Sequence, residues 1–110
     1  MKLPNSDRAT VDERKLIEYV LSPEHPIGRF KAAFFRRHGF SADNWQALKE
    51  QLLALAQNED AEEGERSRYG QKYLVSGILT GNLGQEVEVQ SVWIILHGDD
   101  TPRFVTVYPR

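Results

Sequence analysis

The spacing of hydrophobic residues changes about half-way along the chain. In the first half, apolar residues recur at helical intervals, which predicts amphipathic helices. From residue 70 on, short runs rich in valine and isoleucine are separated by turn signals, which is typical of strands. Helices followed by strands indicate the α+β class. We therefore expect three N-terminal helices packed on one face of a three- to four-stranded antiparallel meander, forming a single α+β domain over residues 1–110.

The helices are delimited by capping signals. Thr10 and Glu13 fit a capping box at the start of the first helix. Pro26 suits the first position of the second helix, with His25 as its N-cap. The third helix follows an N-cap at Ser41. The residues expected on the buried faces are Leu16, Ile17, Val20 and Leu21, then Ile27, Phe30 and Phe34, then Trp45, Leu48, Leu52 and Leu55.

Glycine and charge patterns mark the remaining boundaries. Gly39 is expected to end the second helix, with Phe40 packed back on Phe35 as in a Schellman motif. Residues 58–68 form a charged connector that is a candidate edge strand. Turns are expected at Tyr69-Gly70, "GNLG" (81–84) and "GDDT" (98–101), which separate the strands of the meander.

A register can be inferred from the expected turns. A four-residue "GDDT" loop would set Trp93 opposite Thr106 and Ser91 opposite Tyr108, and a two-residue "NL" turn would set Lys72 beside Trp93. These five side chains would then share the open face of the sheet, where they could stack a base and hold a phosphate. The alternative is structural, since cross-strand aromatic and threonine pairs stabilise solvent-facing sheets. The residues expected against the helices are Val92, Ile94, Leu96, Val105 and Val107.

Composition narrows the class of protein. The 110 residues carry a net charge of −2, with a pI of about 5.9, which argues against a general nucleic-acid coat protein. There is no cysteine, so disulfides and thiolate metal sites are excluded. No segment resembles a secretory signal or a membrane span, so we expect a cytoplasmic protein. No metal-ligand spacing or phosphate-binding loop appears, and no cofactor is expected.

Three further residues are candidates for phosphate chemistry. His25 lies at a predicted helix N-terminus, where the helix dipole favours a neutral imidazole that can act as a base. The backbone N–H groups there, with Lys31, would attract a phosphate. Otherwise His25 only shapes the proline-flanked turn. Arg103 either stabilises a pentacovalent phosphate or pairs with Asp99 or Asp100.

The chain also resembles a known family. The segments "LPNSDRATVDERKLIEYVLSPEHPIGRFKAAFF", "YGQKYLV" and "SVWIILHGDDTPRFVTVYP" resemble small bacterial domains of unknown function, which occur alone and as C-terminal tips of polymorphic toxins. The toxin setting and the helices-then-meander order are similar to the barnase, EndoU, colicin and RelE group of metal-independent ribonucleases. This second likeness is a fold-level analogy, and a fold alone does not determine a function.

The resemblance implies an RNA-cleaving toxin domain. The RNA 2′-hydroxyl would attack the adjacent phosphate, with His25 as general base or acid. Lysine and arginine side chains would neutralise the phosphorane, and Tyr108 or Thr106 would orient a phosphate oxygen or protonate the leaving group. The catalytic candidates are His25, Arg103, Thr106 and Tyr108, and the substrate-binding candidates are Lys31, Lys72, Ser91 and Trp93.

Two other functions stay open. The acidic run at residues 59–65 and the low pI suit a non-catalytic interaction module, such as an immunity protein or antitoxin that masks a basic cleft. A small-ligand binder in the concavity of the sheet is the third possibility. The partners these functions imply are RNA, and a small cognate antitoxin or immunity protein. The sequence does not indicate an oligomeric state.

Overall fold

Three helices precede four strands in the structure, a computed structural model that describes residues 1–110. The first helix, α1, begins with the α-helical turn Glu13–Lys15 and continues as a π-helical segment, Leu16–Val20. The other elements are α2 (Arg29–Arg37), α3 (Trp45–Asn58), β1 (Ala61–Arg66), β2 (Gly70–Thr80), β3 (Glu86–Leu96) and β4 (Arg103–Pro109). The α+β prediction is confirmed, with four strands.

The four strands form one antiparallel sheet in the order β1-β2-β3-β4. The predicted edge strand is β1, which carries exposed glutamates. The helices are preceded by an N-terminal segment, residues 1–12, which forms isolated bridges between Lys2 and Asp60 and between Thr10 and Arg103. This segment therefore joins the two edges of the sheet. None of the helices combines the length and hydrophobicity needed to span a bilayer.

The start of α1 differs from the prediction. Thr10 is not a cap, because its backbone pairs with the outer edge of β4. Asp12 is the N-cap instead, and its carboxylate accepts from the Arg14 N–H at 2.9 Å. The helix then widens, and the Leu21 N–H donates to the carbonyl of Leu16, five residues earlier. The wider turn buries Leu16, Val20 and Leu21 together.

The second helix begins later than predicted and turns a different face to the core. Residues 26–28 form a turn, and α2 starts at Arg29. Ala32 and Phe35 are buried, whereas Ile27 and Phe30 are 69% and 70% exposed. Phe30 lies on the opposite side of the helix from the buried pair, since two residues along a helix differ by about 200°. The prediction that Ile27 and Phe30 pack in the core was wrong.

The signals between α2 and α3 are confirmed. Gly39 has a φ of 89°, and the N–H groups of Gly39 and Phe40 donate to Arg36 and Phe35, which is a complete Schellman motif. Ser41 forms a capping box, with Asn44 as its partner, at a 3₁₀ turn that leads into α3. The buried residues of α3 are Leu48, Leu52, Leu55 and Ala56.

The register between β2 and β3 differs by one residue from the prediction. The loop that joins them runs over residues 81–85, because the last pair is Thr80 with Glu86. Tyr73 therefore lies opposite Trp93, and Lys72 lies opposite Ile94. Because side chains alternate along a strand, a shift of one residue gives each β2 side chain β3 neighbours that were expected on the opposite face of the sheet.

A bulge changes the register between β3 and β4 as well. Thr106 lies opposite Val92, whereas Phe104 lies opposite Trp93, so Val105 is the extra residue. Val107 is buried in the core as expected. The prediction that Val92, Ile94 and Leu96 face the helices was wrong. The side chains buried on the helix-packed face are Tyr73, Val75, Leu79, Val87, Val89, Ser91, Trp93, Phe104 and Val107.

Trp93 is the largest fully buried side chain, and its indole N–H has a partner in the core. Trp93 Nε1 donates to Ser91 Oγ at 2.9 Å, and Ser91 Oγ donates to the carbonyl of Val75 at 2.7 Å. The indole also packs edge-on against Phe104, with ring centroids 5.6 Å apart. Trp93 and Ser91 are both completely inaccessible, so neither contacts a ligand on the open face.

We predict that Ser91→Ala destabilises the fold by about 1–3 kcal/mol, because the buried indole N–H of Trp93 loses its acceptor. The measurement is the free energy of unfolding in urea. Ser76→Ala is the matched control, since Ser76 is only partly buried and makes one long contact to Gln90 (3.4 Å). Equal losses for the two variants would contradict the role assigned to Ser91.

Candidate functional site

Four partly buried side chains meet beside the edge strand β4: Tyr19, Lys31, Thr106 and Tyr108, which we call the lysine cluster. Lys31 Nζ donates to Thr106 Oγ1 at 2.8 Å and to the Tyr19 hydroxyl at 3.3 Å. The same ammonium lies 5.1 Å from the centroid of the Tyr19 ring and 5.9 Å from that of Tyr108. Cation–π attraction therefore helps to hold it.

The ammonium of Lys31 has no carboxylate partner. The four ion pairs of the structure involve Lys2, Arg8, Arg14 and Arg103, and not Lys31. Its contacts are hydroxyl oxygens and aromatic rings, which leave its positive charge uncompensated. A partly buried cation with hydroxyls around it is chemically suited to an anion.

Local packing places Lys31 and Tyr19 at this edge. Lys31 precedes the buried Phe35 by one turn of α2, so its stem starts beside the core. Tyr19 lies on the π-helical part of α1, and Gly28 packs against its backbone. A Cβ at Gly28 would lie 2.1 Å from the Tyr19 carbonyl oxygen, so only glycine allows α2 to start this close to α1.

Tyr108 is oriented by a hydrogen bond from a neighbouring side chain on the open face of the sheet. Gln90, opposite it on β3, donates through Nε2 to the Tyr108 hydroxyl oxygen, and Ser76 contacts Gln90 from β2. Because the phenol oxygen already accepts a hydrogen bond, its own O–H is free to donate elsewhere. The structure thus brings together Lys31, Thr106 and Tyr108, three of the residues selected from the sequence.

His25 lies next to the cluster but is not arranged for proton transfer. Its ring packs edge-on against Tyr19, with centroids 4.9 Å apart. Nδ1 accepts from the backbone N–H groups of Ile27 and Gly28, both at 3.0 Å, so this hydrogen-bond pattern assigns the proton to Nε2. A neutral ring in this tautomer can donate a hydrogen bond but has no free lone pair to act as a base. The general acid or base role predicted for His25 does not fit this geometry.

Arg103 lies at the other end of β4 and is paired. Its Nη2 is 2.9 Å from Asp99 Oδ2, which is the ion-pair alternative raised by the sequence. Asp99 Oδ1 accepts from the N–H groups of Asp100 and Thr101 at 2.7 and 3.2 Å. These hydrogen bonds from Thr101 and Asp100, followed by the one from Arg103, lower the pKa of Asp99 below its ordinary value.

Lys72, the remaining candidate, lies on the open face of the sheet, where its side chain makes no hydrogen bond. It is opposite Ile94 and not in a row with Trp93 and Thr106, so the predicted row is not formed. Ser91 and Trp93 belong to the core. No group of three or more histidine, aspartate or glutamate side chains is arranged to hold a metal ion.

The candidates selected from the sequence did not include Tyr19 or Gln90. The π-helical turn that aims Tyr19 at Lys31 has no recognised sequence pattern. Gln90 could be found only with the correct strand register, which puts it opposite Tyr108.

A family model described as a domain of unknown function, DUF6883, matches residues 2–110. The chain belongs to this family. The resemblance to a family of domains of unknown function is confirmed. No curated protein matches this chain.

A solved structure is similar to this chain over nearly its whole length. It is a chain from a contact-dependent growth inhibition toxin–immunity protein complex of Klebsiella pneumoniae 342. The two chains share 17% sequence identity, the match covers 96% of each chain, and the TM-score is 0.69. At this identity the likeness establishes a shared fold. Neither comparison names a ribonuclease, so the ribonuclease analogy stays a prediction.

The lowered pKa of Asp99 predicts a pH-dependent contribution to stability. A carboxylate whose pKa is lower in the folded state stabilises the fold above about pH 4, and this stabilisation is lost as the pH falls through the folded-state pKa. Asp99→Asn should therefore be less stable than the wild type at pH 6, and the difference should shrink at pH 3. Thermal unfolding at both pH values measures this.

The matched control is Asp7→Asn, since the Asp7 side chain makes no ion pair or hydrogen bond. This variant should follow the wild type at both pH values. A deficit for Asp99→Asn that is equally large at pH 3 and pH 6 would contradict the ionic origin of the effect.

Proposed function

We propose that this DUF6883 domain is a toxin-type domain that cleaves RNA without a metal ion, with the scissile phosphate bound at the lysine cluster. The main support is the environment of the Lys31 ammonium. It lies 2.8 Å from Thr106 Oγ1 and near the rings of Tyr19 and Tyr108, and it has no carboxylate partner. A positive charge that is partly buried and has no carboxylate partner is suited to binding a phosphate.

The cluster is suited to stabilising a transition state. Phosphoryl transfer accumulates negative charge on the non-bridging oxygens, and preorganised donors aimed at those oxygens lower the barrier. Lys31 has one N–H left after its two hydrogen bonds, and the Thr106 hydroxyl is also a donor. The Nε2–H of His25, beside Tyr19, adds a further donor. These groups would bind the phosphate more tightly as its charge increases.

In the proposed reaction the RNA 2′-hydroxyl oxygen attacks the adjacent phosphorus, and the bond to the 5′-oxygen breaks. The products are a 2′,3′-cyclic phosphate and a free 5′-hydroxyl. The 2′-hydroxyl proton passes to solvent water, and Tyr108 supplies the proton that the 5′-oxygen gains. The hydrogen bond from Gln90 leaves the Tyr108 O–H free for this, and solvent reprotonates the phenolate.

A toxin of this kind requires a neutralising partner. The structural neighbour comes from a toxin–immunity protein complex, which supports a cognate partner protein for this chain. We propose that the partner covers the lysine cluster, because blocking the phosphate site is the simplest way to suppress the reaction.

A second function is favoured by a separate observation. Glu62, Glu63 and Glu65 are exposed on the edge strand β1, and the chain carries a net charge of −2. An exposed acidic edge is suited to covering a basic cleft, as an immunity protein or antitoxin does. In that case the chain itself would be the neutralising partner, and the neighbour's complex would support this equally.

We predict that induced expression of the wild-type chain in bacteria arrests growth and produces RNA fragments with 2′,3′-cyclic phosphate ends. Lys31→Met should reduce cleavage by the purified protein by about 10²–10³-fold, because a donor to the developing charge is lost. Cleavage should be unaffected by EDTA. The measurement is the rate of fragment formation, with end groups identified by mass spectrometry.

Lys49→Met is the matched control, since Lys49 lies on α3 over the Trp45 ring and also lacks a carboxylate partner. It should cleave at the wild-type rate. Harmless wild-type expression with intact RNA would exclude the nuclease for this chain. Protection of cells against a co-expressed toxin would then support the immunity function.

A further inference from the structure

A second concavity lies between α1 and β4, which we call the strand-end groove. Its volume is about 650 Å³, within the range of small-molecule sites, which is roughly 300–1,000 Å³. Ile94 and Leu96, on the open face of β3, form its apolar floor, and Thr10, Lys15 and Arg103 are among its walls. Both floor residues are only partly buried, so the protein leaves this apolar surface uncovered.

The charged side chains that line the groove differ in whether they have an ion-pair partner. Asp99 is occupied by two backbone N–H groups and Arg103, and Asp12 by the backbone and side chain of Arg14. Lys15 is in none of the four ion pairs. Its side chain lines both the groove and the neighbouring hollow that holds Tyr19 and His25. Of the four charged residues that line the groove, Asp12, Asp99 and Arg103 are in ion pairs, and Lys15 is not.

The groove and the lysine cluster both include residues of α1 and of β4. The parallel bridge between Thr10 and Arg103 sets the chain leading into α1 alongside β4. On β4, Arg103 lies opposite Ile94 and Thr106 lies opposite Val92, so the two are about 7 Å apart along the strand. On α1, Lys15 precedes Tyr19 by four residues of mainly π-helical backbone, so the two lie about one helical turn apart. A linear ligand held at Lys31 can thus continue into the groove.

We infer that the strand-end groove is a subsite for one nucleotide of single-stranded RNA, next to the scissile phosphate. The base lies on the apolar floor of Ile94 and Leu96, and the phosphate of the same nucleotide is held by Lys15 and by the free guanidinium N–H groups of Arg103. Apolar contact with the base and charge contact with the phosphate together distinguish a nucleotide from a simple anion. The inference deepens, and rests on, the proposed function of the neighbouring cluster.

The test is a titration of the ¹⁵N-labelled full chain with 5′-mononucleotides, and separately with inorganic phosphate, followed by NMR. Mononucleotides should shift the amide signals of Ile94, Leu96 and Thr101, whereas inorganic phosphate at the same concentration should shift them much less, because it lacks the apolar contact of the base. Lys15→Met should weaken mononucleotide binding by about fivefold, as expected for one lost charge-assisted hydrogen bond at an exposed site. Leu96→Ala should also weaken it, by loss of apolar contact.

Lys49→Met and Ile78→Ala are the matched controls, because Lys49 is on α3 and Ile78 is an exposed residue of β2 outside the groove. Both should bind mononucleotides as the wild type does. Groove signals that do not respond to any mononucleotide, or that respond equally to inorganic phosphate, overturn the subsite even if RNA is cleaved. Groove binding by a chain that cleaves no RNA supports the subsite and rejects the nuclease.

Discussion

The buried indole of Trp93 is the contact on which the arrangement of the sheet depends. Its N–H bonds to Ser91, which in turn bonds to the Val75 carbonyl on the next strand. Because side chains alternate along a strand, burying Trp93 and Ser91 under the helices places Val92 and Ile94 on the open face. A shift that turned β3 over by one residue would expose the largest core side chain and break the hydrogen bond between Ser91 and the Val75 carbonyl.

That register decides which residues the open edge presents. The bulge after Val92 sets Thr106 opposite Val92 while Phe104 stays with Trp93 in the core. Thr106 then lies within hydrogen-bond distance of Lys31, on the helix beside the edge. The site thus depends on the core contact through the strand. Its chemistry depends on the Lys31 ammonium, which has no carboxylate partner although the chain has a net charge of −2.

Local sequence signals predicted the structure correctly where the backbone conformation depends on one residue or on the spacing within one helix. Gly39 ends α2, and the spacing of Leu48, Leu52 and Leu55 gives the buried face of α3. The face of α2 and the register of the sheet depend on packing between distant residues, so Phe30 and Trp93 were each assigned to the wrong side. Lys31, Thr106 and Tyr108 were found by their chemistry, whereas Tyr19 depends on a π-helical turn that no local pattern indicates.

The function proposed for the lysine cluster is to bind the scissile phosphate of RNA. A crystal structure of the chain with a short RNA that carries a single 2′-deoxy substitution tests this directly, since that RNA cannot be cleaved at the substituted position. We expect a phosphate oxygen within about 3 Å of Lys31 Nζ and of Thr106 Oγ1. RNA bound elsewhere on the molecule, with Lys31 still bonded only to Thr106 and Tyr19, would contradict it.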